Sequence, residues 1–460
     1  AFRRISANPM NLAFTPKRAL LTLCLCVASS TACAAIEGQL DNTFSSNGNA
    51  LYAIDDIAAG QDIASTALVA PDGSHYIIGS ADGSNGLKQI AIVKTRPSGQ
   101  RDGTFGQGGI AVTTFGVGQR FANKAIFDSF GHIVVANTSV APGGNQSLSM
   151  CRFNAQTGAT QTWGNAPCSS LDINAVPLGN DVVNDIVLAP DGKIYLIGTA
   201  ELAAGRMGVI ARFTANGQLD LSYSGDGISL ILLSAEIQLR AGAVFPDGNL
   251  VTCGSSRSTL DQDQDIFIMR TTALGSLDST FSGDGRVTFA INAGASTDIQ
   301  DDVCRDIGIG KNGTTIFAGT VERTSSKRTG IVGFLSASGV VQQSFSTLNF
   351  GVDLDLNSLV VTSDGKAVVS GTIDLVNLSD KRGFVQRLLA NGNGDPAFNG
   401  GNWQQINQNP GTGFTDGEVY NAVVLAAGKP LIVGAYQYSA VDWDFSVTRL
   451  YADLIFADGL

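Results

Sequence analysis

The stretch "VLAPDGKIYLIG" at Val187–Gly198 returns along the chain in near copies: "LVAPDGSHYIIG" (Leu68–Gly79), "AVFPDGNLVTCG" (Ala243–Gly254) and "VVTSDGKAVVSG" (Val360–Gly371). Each is a turn centred on Asp-Gly or its equivalent, between apolar, largely β-branched flanks. Gly tolerates positive φ and the Asp side chain can bond nearby backbone, so the dipeptide supports a tight hairpin. With the turn glycine as a ruler, the copies fall at Gly73, Gly131, Gly192, Gly248, Gly313, Gly365 and Gly428: seven units spaced 52 to 65 residues apart. A supersecondary unit repeated at a near-constant period restricts the fold severely, because each unit must bury its faces against its neighbours.

A second landmark lies between the hairpins. It reads "GQLDNTFSSNG" (Gly38–Gly48), "GQRDGTFGQGG" (Gly99–Gly109), "GQLDLSYSGDG" (Gly217–Gly227) and "GSLDSTFSGDG" (Gly275–Gly285), with a weaker "GNGDPAFNGG" at Gly392–Gly401. At the remaining two boundaries it has decayed to "TGATQTWGN" and "SGVVQQSFS", where Trp163 and Phe345 keep the aromatic. Each unit then reads as four strands. In the third unit these are expected at Asp185–Ala189, Lys193–Gly198, Met207–Phe213 and Gly227–Leu233. With 55 glycines, only 15% charged residues and no helical period, the chain suits short strands and tight turns. Four antiparallel strands in each of seven tandem units predict an all-β, seven-bladed β-propeller.

The set "GxLDxTFxxxG", "PDGKIxxxG" and a basic residue on the strand between them resembles the delta-60 repeat family of exported bacterial proteins. That basic residue is Lys94, Arg152, Arg212, Arg270, Arg387 and Arg449, with Leu335 in the fifth unit. The resemblance covers about residues 36–450 and implies a propeller fold and export. It carries no catalytic residues. The once-per-unit Asp (Asp41, Asp102, Asp220, Asp278) and the strand Arg are read as structural, the Asp capping its own turn and the Arg satisfying carbonyls or a carboxylate.

Counting strands predicts how the ring closes. A surplus strand, "NALYAID" (Asn49–Asp55), precedes the first hairpin, and the last unit lacks its fourth strand. Asn49–Asp55 is therefore expected to pair with Phe445–Leu450 as the outer strand of the last blade.

Residues 1–35 differ from the rest. From Met10 a basic pair, Lys17 and Arg18, precedes an apolar run and then small residues, the layout of a secretory signal peptide with cleavage after Ala34. Ser30 stands where a lipoprotein signal would carry Leu before Cys33, which weighs against lipid anchoring. Residues 36–450 form the repeat domain, and 451–460 a short tail. The expected location is exported: periplasmic, surface-held or secreted. The four cysteines beyond the signal are expected to pair as Cys151–Cys168, across a short local loop, and Cys253–Cys304. The net charge of −11 disfavours nucleic acid and anionic lipid. No transmembrane segment is expected in the mature chain, and a monomer is.

No catalytic constellation emerges. His75 and His132 lie just past turn glycines and are expected to decorate exposed hairpins. The carboxylate-rich stretches Asp261–Asp265, Asp298–Asp302 and Asp353–Asn357 lack EF-hand spacing, so no cofactor is expected, with calcium the one candidate ion. Alignment on the turn glycine gives a sharper set. Eight residues before it stand Ser65, Asn123, Asn184, Arg240, Arg305, Asn357 and Tyr420. One residue later stand Thr66, Lys124, Asp185, Ala241, Asp306, Ser358 and Asn421. In a propeller whose first strand is innermost, these polar residues at its start would ring one mouth of the central channel. The expected function is a binding or scaffold module for a protein or glycan. An enzyme of polysaccharide lyase or hydrolase type, working at the same mouth, is the alternative.

Overall fold

The computed structural model describes residues 37–452, apart from 55–59, 114–117, 165, 174–178, 203–204, 234–235, 259–262, 292–300, 325–326, 344, 376–380, 409–416 and 440. The expected signal peptide and residues 453–460 of the tail therefore lie outside the described residues. Seven sheets of four antiparallel strands follow one another along the chain. Six use four consecutive strands. The seventh is completed by the first strand of the chain, Asn49–Tyr52, which pairs with Trp443–Arg449. Asn49 stands opposite Thr448 and Tyr52 opposite Phe445, so the ring closes as the strand count requires.

The innermost strands are Ile63–Val69, Gln119–Phe127, Val182–Leu188, Glu236–Val244, Asp302–Ile309, Asp353–Val361 and Glu418–Ala426. They begin earlier than expected. The third starts at Val182, three residues before Asp185, because the polar Asn184–Asp185 pair that reads as a strand start is an irregularity inside the strand.

Each sheet buries both faces against its neighbours. Tyr195, Ile197 and Ile210 of blade three, for example, pack with Ile237, Leu239 and Leu250 of blade four. The repeated charges organise these junctions. Asp41, Asp220 and Asp278 accept the N–H and hydroxyl of Thr43, Ser222 and Thr280, two residues on. Arg212, Arg270, Arg387 and Arg449 place Nε 2.7–2.9 Å from Asp220, Asp278, Asp395 and Asp41. The same guanidiniums lie over the landmark aromatics, Arg212 4.8 Å above Tyr223 and Arg270 5.0 Å above Phe281. Most also reach the next blade: Arg212 donates to the Ala273 carbonyl, Arg270 to Ala337 and Arg449 to Pro97. Blade two departs from this, since Arg152 pairs with Asp128 at 2.7 Å.

Both expected disulfides form. Cys151–Cys168 joins the third and outer strands of blade two, with Cα atoms 4.1 Å apart. Cys253–Cys304 spans 5.8 Å between Cα atoms and ties blade four to blade five. Disulfides persist in oxidising compartments. Among the described residues no helix is long and apolar enough to cross a membrane.

Candidate functional site

Every innermost strand slips register once against its neighbour, at the same place. The extra residue is Ser65, Asn123, Asn184, Arg240, Arg305, Asn357 or Asn421. Such a bulge sets two residues against one and re-aims the side chain. The final glycine of the hairpin motif faces it. At Gly79, Gly198, Gly254, Gly319, Gly371 and Gly434 a Cβ would stand 1.8–2.3 Å from a carbonyl oxygen of the bulged strand. The candidate residues are thus mid-strand bulge positions, not strand starts. The seventh blade is offset by one, because its turn "AAGKP" is shorter. Asn421 is its bulge residue and Tyr420 precedes it. Tyr420 is fully buried, with its ring against Gly383 and its hydroxyl 3.2 Å from Glu418. It does not face the mouth.

Three of the seven bulge residues stitch blades together. Asn184, Asn357 and Asn421 donate their amides to the carbonyls of Leu239, Tyr420 and Ala64, each just before the bulge of the next blade. The position after the bulge does the same with backbone N–H groups. Asp185 accepts from Gly242 at 2.9 Å, Asp306 from Leu359 at 2.9 Å and Ser358 from Val423 at 3.2 Å. Lys124 of blade two reaches across the channel to Asp306 of blade five, 3.8 Å away. Burial lowers the pKa of Lys124, and the charges of Asp306 and Asp185 more than reverse this, so it stays charged. Burial pushes Asp185 up to about 6, an effect Lys124 opposes and Asp306 reinforces. At this level an ion network spans the channel.

Arg240 and Arg305 behave differently. They occupy neighbouring blades, and each keeps a buried Nε without a hydrogen-bond partner among the described residues. Nη2 of Arg240 donates to the Gln238 side-chain oxygen at 3.3 Å. Burial, then repulsion from Arg305 and Arg206, lowers its pKa to about 10. Burial also lowers Arg305, with Asp355 opposing and Arg328 reinforcing. Asp355 is itself held 2.6 Å from Arg328, which also takes Asp353 at 2.8 Å. Both arginines feel cations placed early in third strands, Arg206 of the preceding blade for Arg240 and Arg328 of the same blade for Arg305, so they face the end where the innermost strands begin. A cavity of about 120 Å³ at the same ion pairs is lined by Arg328, Asp353, Asp355, Asn357 and Lys381 among others, and by neither Arg240 nor Arg305. A guanidinium pair lacking a carboxylate of its own suits an anion.

Four buried acids act alike: Asp302, the last residue of the Asp298–Asp302 stretch, and three that were not singled out from sequence, Asp62, Asp181 and Glu418. Each accepts a backbone N–H from the segment that follows the preceding outer strand: Ile54, Ile173, Ile291 and Gln408. They pin the crossovers between blades. Burial raises all four, to about 6 for Asp62 and about 7 for Asp302 and Glu418. Their signal was present: Asp62, Asp181 and Asp302 all stand eleven residues before a turn glycine.

The histidines correct the hairpin expectation. His75 is buried, 3.1 Å from the Thr95 hydroxyl, and burial lowers its pKa to about 4. His132 is half-buried between Asp128 and Arg152. Asp353 and Asp355 pair with Arg328, whereas Asp261 and Asp298 lie outside the described residues. Among the described residues no three His, Cys, Asp or Glu side chains gather as a metal would need.

A family model described as a β-propeller domain of unknown function, DUF5122, matches residues 189–223 and 246–281. Those two segments are similar to that domain, and the fold is a propeller. No curated protein sequence matches it. Solved structures similar to it include a protein of unknown function from Dyadobacter fermentans, 11% identical over 72% of this chain and 94% of its own, with a TM-score of 0.45. An ulvan lyase of a polysaccharide lyase family is 12% identical over 89% and 94%, with a TM-score of 0.49. A second polysaccharide lyase is 9% identical over 91% and 97%, also at 0.49. No residue is carried over from any of them.

Proposed function

We propose that the protein is an exported propeller of the delta-60 repeat type that acts as a binding module, taking an anionic group at the Arg240–Arg305 end of its channel. The observation that carries this reading is the pair itself. Two guanidiniums are held on adjacent blades, half-buried, with unpartnered Nε atoms and mutual repulsion. A carboxylate or sulfate would relieve both costs. The ion network of Lys124, Asp185 and Asp306 supports an end site rather than a through-channel. The raised Asp185 beside Lys124 favours a second reading, an enzyme acting at the same mouth. Both Asp185 oxygens already accept backbone N–H groups, which favours the structural role.

The test is a binding screen of the mature protein with acidic oligosaccharides and small carboxylates. The Arg240→Ala/Arg305→Ala double variant should stay folded and lose at least about a hundredfold in affinity for any anionic hit. Undiminished binding by the double variant rejects the mouth. Cleavage of the hit, abolished by Asp185→Asn, would select the enzyme.

A further inference from the structure

Six of the seven blade junctions are closed in one way. The landmark aromatic of each blade lies beneath a glycine of the next: Phe44 under Gly99, Phe105 under Gly158, Trp163 under Gly217, Tyr223 under Gly275, Phe281 under Gly339 and Phe398 under Gly38. The packing is close enough that a Cβ on these glycines would stand 2.6–3.2 Å from the ring.

The junction between blades five and six breaks the pattern. Gly392 is the matching glycine, and its nearest neighbours are the Ser346 hydroxyl and the Gln343 amide. The blade-five aromatic, Phe345, packs inward instead, edge-on to Phe289 at 5.1 Å and Phe317 at 5.8 Å. The charges that brace the other junctions are missing here too: strand register puts Phe334, not Leu335, at the Arg position, and Gln342 stands in place of the Asp. Beside these side chains lies a cavity of about 490 Å³, lined by Gln343, Ser346, Gln386, Asn391 and Asn393 among others. That volume is typical of small-molecule sites, which run from ~300 to 1,000 Å³.

The lining holds no charged residue. It does hold two buried amide atoms without partners among the described residues, Nε2 of Gln343 and Oε1 of Gln386. Gln386 is only 8% exposed, and its own Nε2 is fixed by a 3.3 Å bond to the Gly401 carbonyl. Turned toward the cavity, the two amides would offer a donor and an acceptor, which match a hydroxyl that accepts one bond and donates another. Phe345 and Leu388 add apolar surface for the C–H face of a ring. An anion would find no cation in the lining, and a cation no carboxylate.

We propose that the junction between blades five and six, opened by the inward turn of Phe345, is a binding site for an uncharged sugar unit of a glycan, separate from the channel mouth. The experiment titrates the full chain with maltotriose, cellotriose and mannotriose, followed by saturation-transfer NMR and calorimetry. At least one should bind. Gln343→Ala and Gln386→Ala should each weaken that binding about tenfold, the worth of one hydrogen bond to a buried amide. Arg240→Ala/Arg305→Ala should leave it unchanged. Gln343→Phe, which returns a ring to the space beneath Gly392, should abolish binding and raise the denaturation midpoint, so loss of binding is separable from loss of fold. Binding of none of the three sugars would show that the cavity holds only water and overturn the proposal. Binding that survives Gln343→Phe would overturn it equally.

Discussion

Replacing Asp41 by Asn tests how the ring is held shut. Asp41 is fully buried in the segment that leads into the closing strand. It accepts from the backbone and hydroxyl of Thr43 at 3.0 and 2.6 Å, from Lys429 at 2.7 Å and from Arg449 at 2.9 Å. Lys429 and Arg449 belong to the far end of the chain, so this carboxylate joins the first landmark to the last blade. Burial alone would raise its pKa. The bonds from Lys429 and Thr43, with the charge of Arg449, more than reverse that and hold it at about 2. A folded pKa below the unfolded one means stability that is present above about pH 4 and lost as pH falls toward 2. The shift, from 3.8 to about 2, corresponds to about 2.5 kcal/mol. Asn also leaves two cations at a buried site without their carboxylate, which typically costs ~3–5 kcal/mol. Urea denaturation at pH 7 should therefore show Asp41→Asn about 3 kcal/mol less stable than wild type, with the gap narrowing at pH 2.5. Hydrogen exchange at Asn49–Tyr52 should quicken most. A variant within about 1 kcal/mol of wild type at pH 7, or a gap that does not change with pH, would refute the closure argument.

The buried acids at the crossovers act with the opposite sign. Folded pKa values raised to about 7 at Asp302 and Glu418 mean that stability falls as pH rises from about 4 to 7. Asp302→Asn should flatten that slope in denaturation midpoints measured from pH 4 to 8, removing on the order of 4 kcal/mol of pH dependence; an unchanged slope would show that Asp302 is not its source. Replacing Cys253 and Cys304 together by Ala should cost about 4 kcal/mol, from the 51-residue separation they close. Calorimetry should show that loss, and a cost under about 1 kcal/mol would mean that packing alone holds blades four and five together.

Much of the architecture was legible in the chain, for local reasons. Asp-Gly turns, alternating flanks and glycine spacing concern residues within a few positions of one another, so they mark strands and hairpins wherever the chain lies. The surplus of one strand at the start and the deficit of one at the end placed Asn49–Asp55 beside Phe445–Leu450, and Asn49–Tyr52 pairs there. The cysteine positions likewise led to the pairs that form.

The sites were less legible. Alignment on the turn glycine found Arg240 and Arg305, yet it could not show that they are bulge residues, because a bulge exists only relative to the strand opposite. The same limit misplaced the seventh unit, where a shorter turn moved the bulge from Tyr420 to Asn421. The decay of "SGVVQQSFS" was visible in the chain, but not that Phe345 would turn toward Phe289 and empty the junction above it. The sequence by itself determined the repeat, the blade and the closed ring, since these follow from backbone geometry and short-range periodicity. Only the tertiary structure decided which polar groups are left unpaired. That depends on side chains from units some 50 to 65 residues apart meeting in one place, where burial, rather than residue type, sets whether a guanidinium or an amide still needs a partner.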